Sequence, residues 1–130
     1  MTKKLRAGVV GVGSMGLNHA RIYHDLDQAE LTAVYDANSS TAERVVRKYG
    51  GTVATSIEEV IDLCDAVSVA APTHLHHQIT MELLRAGRHV LVEKPITENP
   101  VHAAEMVDLA RQQGLILQVG HIERFNPALT

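Results

Sequence analysis

Residues 11–16 read GVGSMG, and they fall where one hydrophobic pattern hands over to another. Before them, LRAGVVG (residues 5–11) is a short apolar run of the kind that fills a buried strand. After them, Met15, His19, Ile22, Tyr23 and Leu26 recur at helical spacing. A strand that turns directly into a helix through three glycines leaves few folds open. Gly11 permits the tight turn, and Gly13 lets another group approach the backbone. Gly16 lets the helix pack close to the strand. The first helical turn, with Ser14 and Met15, then presents unpaired N–H groups and the positive end of the helix dipole. Those are the requirements of a phosphate site.

The rest of the chain repeats the alternation. LTAVYD (31–36) predicts a second strand, followed by a helical stripe of Ala42, Val45, Val46 and Tyr49 that ends at Gly50 and Gly51. A short strand near TVAT (52–55) leads to Ser56, whose spacing to Glu59 predicts a capping box. DAVSVAA (65–71) is a strand, and a helix follows from about Thr73 to Gly87. RHVLVE (88–93) precedes a helix opened by Asn99 and Pro100 and closed by Gly114, and LILQVG (115–120) is a sixth strand. Connections this short between alternating strands and helices predict parallel βαβ units. The fold class is α/β: a Rossmann, doubly wound parallel sheet of about six strands with helices on both faces.

In that context GVGSMG sits where a dinucleotide fingerprint has to sit. Asp36 lies 20 residues after Gly16, at the end of the second strand, where a carboxylate can hold both hydroxyls of a ribose. The rival reading, a plain glycine turn with a surface aspartate, leaves the agreement of strand, glycines, helix and acid unexplained. A 2′-phosphate about 4 Å from that carboxylate would be repelled by roughly 4 kcal/mol per charge pair at an effective dielectric of 20. Ala37, Asn38 and Ser39 follow, and none is an arginine to offset the repulsion. NAD is therefore expected over NADP.

LVEKPI places Glu93 and Lys94 at the end of the fifth strand, beyond which ligands bind in open α/β sheets. Lys94 there can polarise or orient a substrate hydroxyl, or it can be an ordinary surface lysine. Glu93 either orients Lys94 or faces solvent. Eight histidines include His74, His76 and His77 in THLHH, and His74 and His77 share a helical face. No cysteine or carboxylate stands beside them to complete a usual ligand set, so no metal is expected. His19, His24, His89 and His102 are read as structural. The single cysteine, Cys64, forms no internal disulfide and is read as a small buried hydrophobe in a reducing compartment.

Composition narrows the function classes. A chain of 130 residues that is 45% hydrophobic and 3% aromatic builds one aliphatic core. A net charge of −3 without a basic run argues against nucleic acid or an anionic membrane as partner. No stretch approaches the length of a membrane span, and the start is too glycine-rich for a signal peptide. A single cytoplasmic domain is expected.

GVGSMG, Asp36, APTHLHHQIT, VEKPI and VGHIERFNPA occur in the order seen in the Gfo/Idh/MocA oxidoreductases, the glucose–fructose oxidoreductase and inositol dehydrogenase family, and the chain resembles that family along essentially its whole length. The resemblance implies an N-terminal domain binding NAD or NADP and a C-terminal domain binding a sugar, nucleotide sugar or cyclitol. It implies that Lys94 meets the reacting hydroxyl and the nicotinamide. Ala71, Pro72, Thr73 and His76 would line the cofactor crevice, with Thr73 where many members have asparagine. His121 and Arg124 would lie near the substrate, His121 as the only local candidate base. The wording GHIERFNPA is most similar to members that oxidise the 3-hydroxyl of UDP-N-acetylglucosamine-type sugars.

Asn126 and Pro127 read as the opening of a helix three residues before the last one, Thr130. Residues 1–124 are thus expected to be the NAD-binding domain, and 125–130 the start of a helix leading into a substrate domain. Self-association through surface that such a domain would cover is a further expectation. Three functions are compatible with this reading. The first is the cofactor half of a dehydrogenase, catalytically incomplete alone; the others are a stand-alone NAD-binding or redox-sensing module and a small oxidoreductase completed by another chain.

Overall fold

The computed structural model describes residues 3–120. The expected boundary at residue 124 and the helix opening at Asn126 lie outside them, as do His121 and Arg124. In chain order the elements are β1 (Leu5–Val10), α1 (Ser14–Asp25), β2 (Ala29–Tyr35), α2 (Ser39–Tyr49), β3 (Thr52–Val53), α3 (Ile57–Leu63), β4 (Ala66–Val69), α4 (His76–Arg85), β5 (His89–Val92), α5 (Pro100–Gln112) and β6 (Leu117–Val119). The strands form one parallel sheet in the order β3-β2-β1-β4-β5-β6. The order reverses between β1 and β4, and that is where a crevice opens in a doubly wound sheet.

Alternation along the strands divides the core in two. Ala7 and Val9 of β1, with Leu31 and Val34 of β2, pack against Ala20 and Tyr23 of α1 and Ala42 and Val45 of α2. Val10 of β1 faces the other way. With Val67, Val69, Val90 and Val92 it joins Val60 of α3, Leu83 and Leu84 of α4, and Met106 and Ala110 of α5. Both faces of the sheet are covered, so its strands are nearly continuous apolar runs.

The helix starts follow local chemistry. Asn38 accepts from Ser40 N–H at 3.1 Å to open α2, and Asn99 accepts from Val101 N–H at 2.9 Å to open α5 behind Pro100. Ser56 accepts from Glu59 N–H at 3.1 Å, one arm of the expected capping box. The Glu59 carboxylate takes the Thr55 hydroxyl at 3.0 Å in place of the reciprocal arm.

Element boundaries differ from expectation at several ends, four of them with a clear local cause or consequence. β2 begins at Ala29, where the ladder with Leu5 starts, and β3 keeps only Thr52 and Val53. β6 begins at Leu117 because Leu115 N–H is spent closing α5, on the Ala110 carbonyl at 2.8 Å. Thr73–Leu75 form a tight 3-10 turn, with Leu75 N–H on the Pro72 carbonyl at 2.9 Å, so α4 proper starts at His76. Among the described residues no helix is long and apolar enough to cross a membrane.

Candidate functional site

The carboxyl ends of β1, β2, β4 and β5 surround a cavity of about 790 Å³. The three fingerprint glycines have different local requirements. Gly11 has φ +89°, and a Cβ there would lie 2.5 Å from the Ala71 nitrogen, so both conformation and space demand glycine. A Cβ on Gly16 would lie 1.7 Å from the Gly11 carbonyl oxygen, because α1 crosses the turn at backbone contact. A Cβ on Gly13 would meet nothing within 4 Å. The fold tolerates a side chain at Gly13, so the openness there leaves room for a ligand.

Gly13 is also the N-cap of α1, without a side-chain hydrogen bond to the helix start. The first bond of the helix runs from Leu17 N–H to the Gly13 carbonyl at 2.8 Å. The N–H groups of Ser14, Met15 and Gly16 therefore have no acceptor within the helix and carry its partial positive charge. Beside them, Asp36 Oδ2 accepts from Val12 N–H and Oδ1 from Asn38 N–H, both at 2.9 Å. Each carboxylate oxygen keeps lone-pair capacity for a further donor such as a ribose hydroxyl. Room at Gly13, unpaired N–H groups and an anchored acceptor fit the pyrophosphate and ribose of a dinucleotide.

The loop after β5 forms the opposite wall. Lys94 is exposed into the cavity, whereas Glu93 beside it is only 7% exposed. The Glu93 carboxylate is bonded to His19 Nε2 of α1. Nδ1 of His19 meets Ser68 Oγ of β4 at 2.8 Å, and Ser68 Oγ meets the Tyr23 hydroxyl at 2.6 Å. With a neutral His19 ring, one donor order satisfies these contacts: Tyr23 O–H to Ser68, Ser68 O–H to His19 Nδ1, and His19 Nε2–H to Glu93. Burial pushes the Tyr23 hydroxyl pKa up, which keeps that first proton in place.

His76 lies against the same loop on its other side. It is 2% exposed, with Nδ1 at 3.0 Å from the Pro95 carbonyl and 3.2 Å from that of Ile96. Its Nε2 lies 2.8 Å from the Ala71 carbonyl. A neutral ring has one N–H and donates to one side; the doubly protonated ring donates to both. The ring lies between the Lys94 loop and the turn after β4 and bonds at least one of them.

Of the residues expected at a cofactor, Gly11, Gly13, Met15, Asp36, Ala71, Pro72, Thr73, His76, Glu93 and Lys94 line this one cavity. Ser14 and Gly16 do not line it; their part is the backbone at the start of α1. Glu93, which sequence left between orienting Lys94 and facing solvent, is buried on His19. Sequence did not single out Tyr23 and Ser68, which share the polar chain, or the apolar wall of Tyr35, Ile57 and Ile79. Tyr35, Ile57 and Ile79 carry no signal beyond that of core positions. Cys64 is buried, as expected, and burial raises its thiol pKa.

The pattern of the oxidoreductase family with an NAD-binding Rossmann fold matches residues 5–121. The UDP-N-acetylglucosamine 3-dehydrogenase of Acidithiobacillus ferrooxidans is 34% identical over 125 residues, covering 96% of this chain and 39% of that protein. Its solved structure superposes with a TM-score of 0.87 over 98% of this chain and 42% of that one. GenD2 of gentamicin A biosynthesis, solved with NAD, is 32% identical at a TM-score of 0.88, over 92% of this chain and 35% of its own. KijD10, a 3-ketoreductase of Actinomadura kijaniata solved with NADP, is 30% identical at 0.84, over 90% and 37%. The chain thus spans about two fifths of the length of these relatives. It belongs to the Gfo/Idh/MocA oxidoreductases, whose NAD-binding Rossmann domain it forms.

Proposed function

We propose that this chain is the cofactor-binding half of an NAD-dependent dehydrogenase acting on a hydroxyl of a sugar, nucleotide sugar or cyclitol. The observation that carries the reading is the shared cavity, which has the fingerprint turn and Asp36 on one wall and Lys94 on the other. The start of α1 holds the pyrophosphate and Asp36 the adenosine ribose. The bound nicotinamide supplies an acceptor for a hydride from the carbinol carbon. Lys94 donates to the substrate oxygen, orients it and stabilises the negative charge that builds as its proton leaves. Similarity to the UDP-N-acetylglucosamine 3-dehydrogenase supports a nucleotide sugar as the substrate class.

Asp36 supports NAD as the preferred cofactor, since its carboxylate repels a 2′-phosphate. Relatives solved with NAD and with NADP both occur, so the preference rests on this residue. The general base and the walls enclosing the sugar belong to a substrate domain following residue 124. The isolated chain should therefore bind NADH and turn nothing over. Nicotinamide fluorescence is expected to saturate at sub-millimolar NADH; no heat and no thermal shift at millimolar NADH would overturn the reading. Incubation with NAD and UDP-N-acetylglucosamine, inositol or glucose should yield no NADH. Production that vanished in Lys94→Ala would show a catalytically complete domain.

A further inference from the structure

Where α4 meets α5, three side chains converge that no step above uses. His77 is the second residue of α4, and His102 and Glu105 stand one turn apart on α5. One ligating atom from each lies within 4.8 Å of the other two. The His77 and His102 rings stack at 3.9 Å between centroids and 11° between planes. Nε2 of His77 is buried and makes no hydrogen bond, and it sits 3.6 Å from Glu105 Oε1.

We propose that His77, His102 and Glu105 form a site for a borderline divalent transition ion, of which Zn²⁺ is the representative. Three potential ligand atoms converge here, and the buried Nε2 of His77 has no hydrogen-bond partner among the described residues. A proton shared by His77 and Glu105 would draw them to about 2.8 Å, the length of a charge-assisted hydrogen bond. The observed 3.6 Å is closer to the separation of about 3.4 Å between two ligands of one tetrahedral zinc with bonds near 2.1 Å. Two imidazoles and one carboxylate are a common zinc donor set, which leaves a fourth position for water. Parallel rings cannot both aim at one ion, so ligation swings one ring out of the stack. The ion would staple the first turn of α4 to α5, next to His76, which lies against the Lys94 loop.

Sequence showed only His74 and His77 on a shared face and no carboxylate beside them. The structure uses a different pair, and the carboxylate arrives from α5, 28 positions away from His77.

The test is titration of the whole chain with Zn²⁺ by calorimetry and with Co²⁺ by visible absorption. One equivalent should bind, Co²⁺ should show the intense bands of a four-coordinate ion, and thermal stability should rise. His77→Ala, His102→Ala and Glu105→Gln should each weaken binding at least about tenfold, and His74→Ala should leave it unchanged. Glu105 is exposed and His102 half-buried, and circular dichroism checks that each variant is folded. No binding at millimolar zinc, or wild-type affinity in any of the three variants, would overturn the site. Because NADH binding is read separately, failure here is distinguishable from failure of the dinucleotide assignment.

Discussion

His19 in the second turn of α1 and Glu93 just past β5 are bonded side chain to side chain inside the protein, with His19 fully buried. The pair joins α1, whose first turn borders the crevice, to the loop that carries Lys94. Replacing His19 by Leu removes one donor from Glu93, whose carboxylate sits in a site almost closed to water. Breaking one partner of a buried pair costs about 3 kcal/mol or more. Urea unfolding of His19→Leu should show a loss of that order, and of the double variant His19→Leu, Glu93→Leu a smaller one. Equal stability of His19→Leu and wild type would refute the pairing.

The fingerprint glycines should separate by what they serve. Gly16→Ala drives a Cβ into the Gly11 carbonyl and should cost about 3 kcal/mol or more in denaturant unfolding. Gly13→Ala adds a Cβ in open space, so its stability should fall by less than about 1 kcal/mol. Its NADH affinity should nonetheless drop at least about tenfold. A Gly13 variant that binds NADH like wild type would mean the phosphate lies elsewhere.

Asp36→Ala should narrow or abolish the preference for NAD over NADP. The expected shift in the affinity ratio is about tenfold or more, well within the repulsion available at that distance. Comparative titration with NADH and NADPH measures it, and tighter NADPH binding by the unaltered chain would contradict the role given to Asp36.

Cys64 should be inert while the protein is folded. Its thiol is inaccessible, burial raises its pKa, and its Sγ lies 3.4 Å from Thr32 Oγ1. Iodoacetamide should modify the native chain at least about a hundredfold more slowly than the urea-unfolded chain. Comparable rates would place the thiol at the surface.

Asp65 gives a pH dependence of known sign. The Arg6 side chain, at 2.9 Å, and the Arg6 backbone N–H hold its carboxyl below the ordinary value of 3.8. The stabilisation is present above that value and is lost as pH falls through the lower folded pKa. The pair is exposed, so the effect is small. Melting temperatures from pH 7 down to pH 2 should fall less steeply in Asp65→Asn than in wild type; parallel curves would remove Asp65 from the acid transition.

The crevice was legible because its parts are local in sequence. Gly11, Gly13 and Gly16 lie within one turn, and a strand always points its last residues at the same edge, which placed Asp36 and Lys94. The 3-10 turn at Thr73–Leu75 was not legible, since helical spacing does not distinguish the two helix types over three residues. The His19–Glu93 contact spans 74 positions and depends on how far α1 is rotated about its axis. The cluster of His77, His102 and Glu105 depends likewise on the mutual rotation of α4 and α5. Periodicity shows that a helix has an inner face, but not which polar side chain on another element that face meets.

The tight fit of Gly11 against Ala71 also sets an order of events during synthesis. The glycine turn leaves the ribosome early, yet the wall that shapes it is about 60 positions further along. Val10 acquires its partner on that side, the Ala70 N–H at 2.8 Å, only when β4 docks. A nascent chain that has reached α3 has its glycine turn but not the surface that moulds it. The crevice is thereby completed only when both halves of the sheet have met at β1.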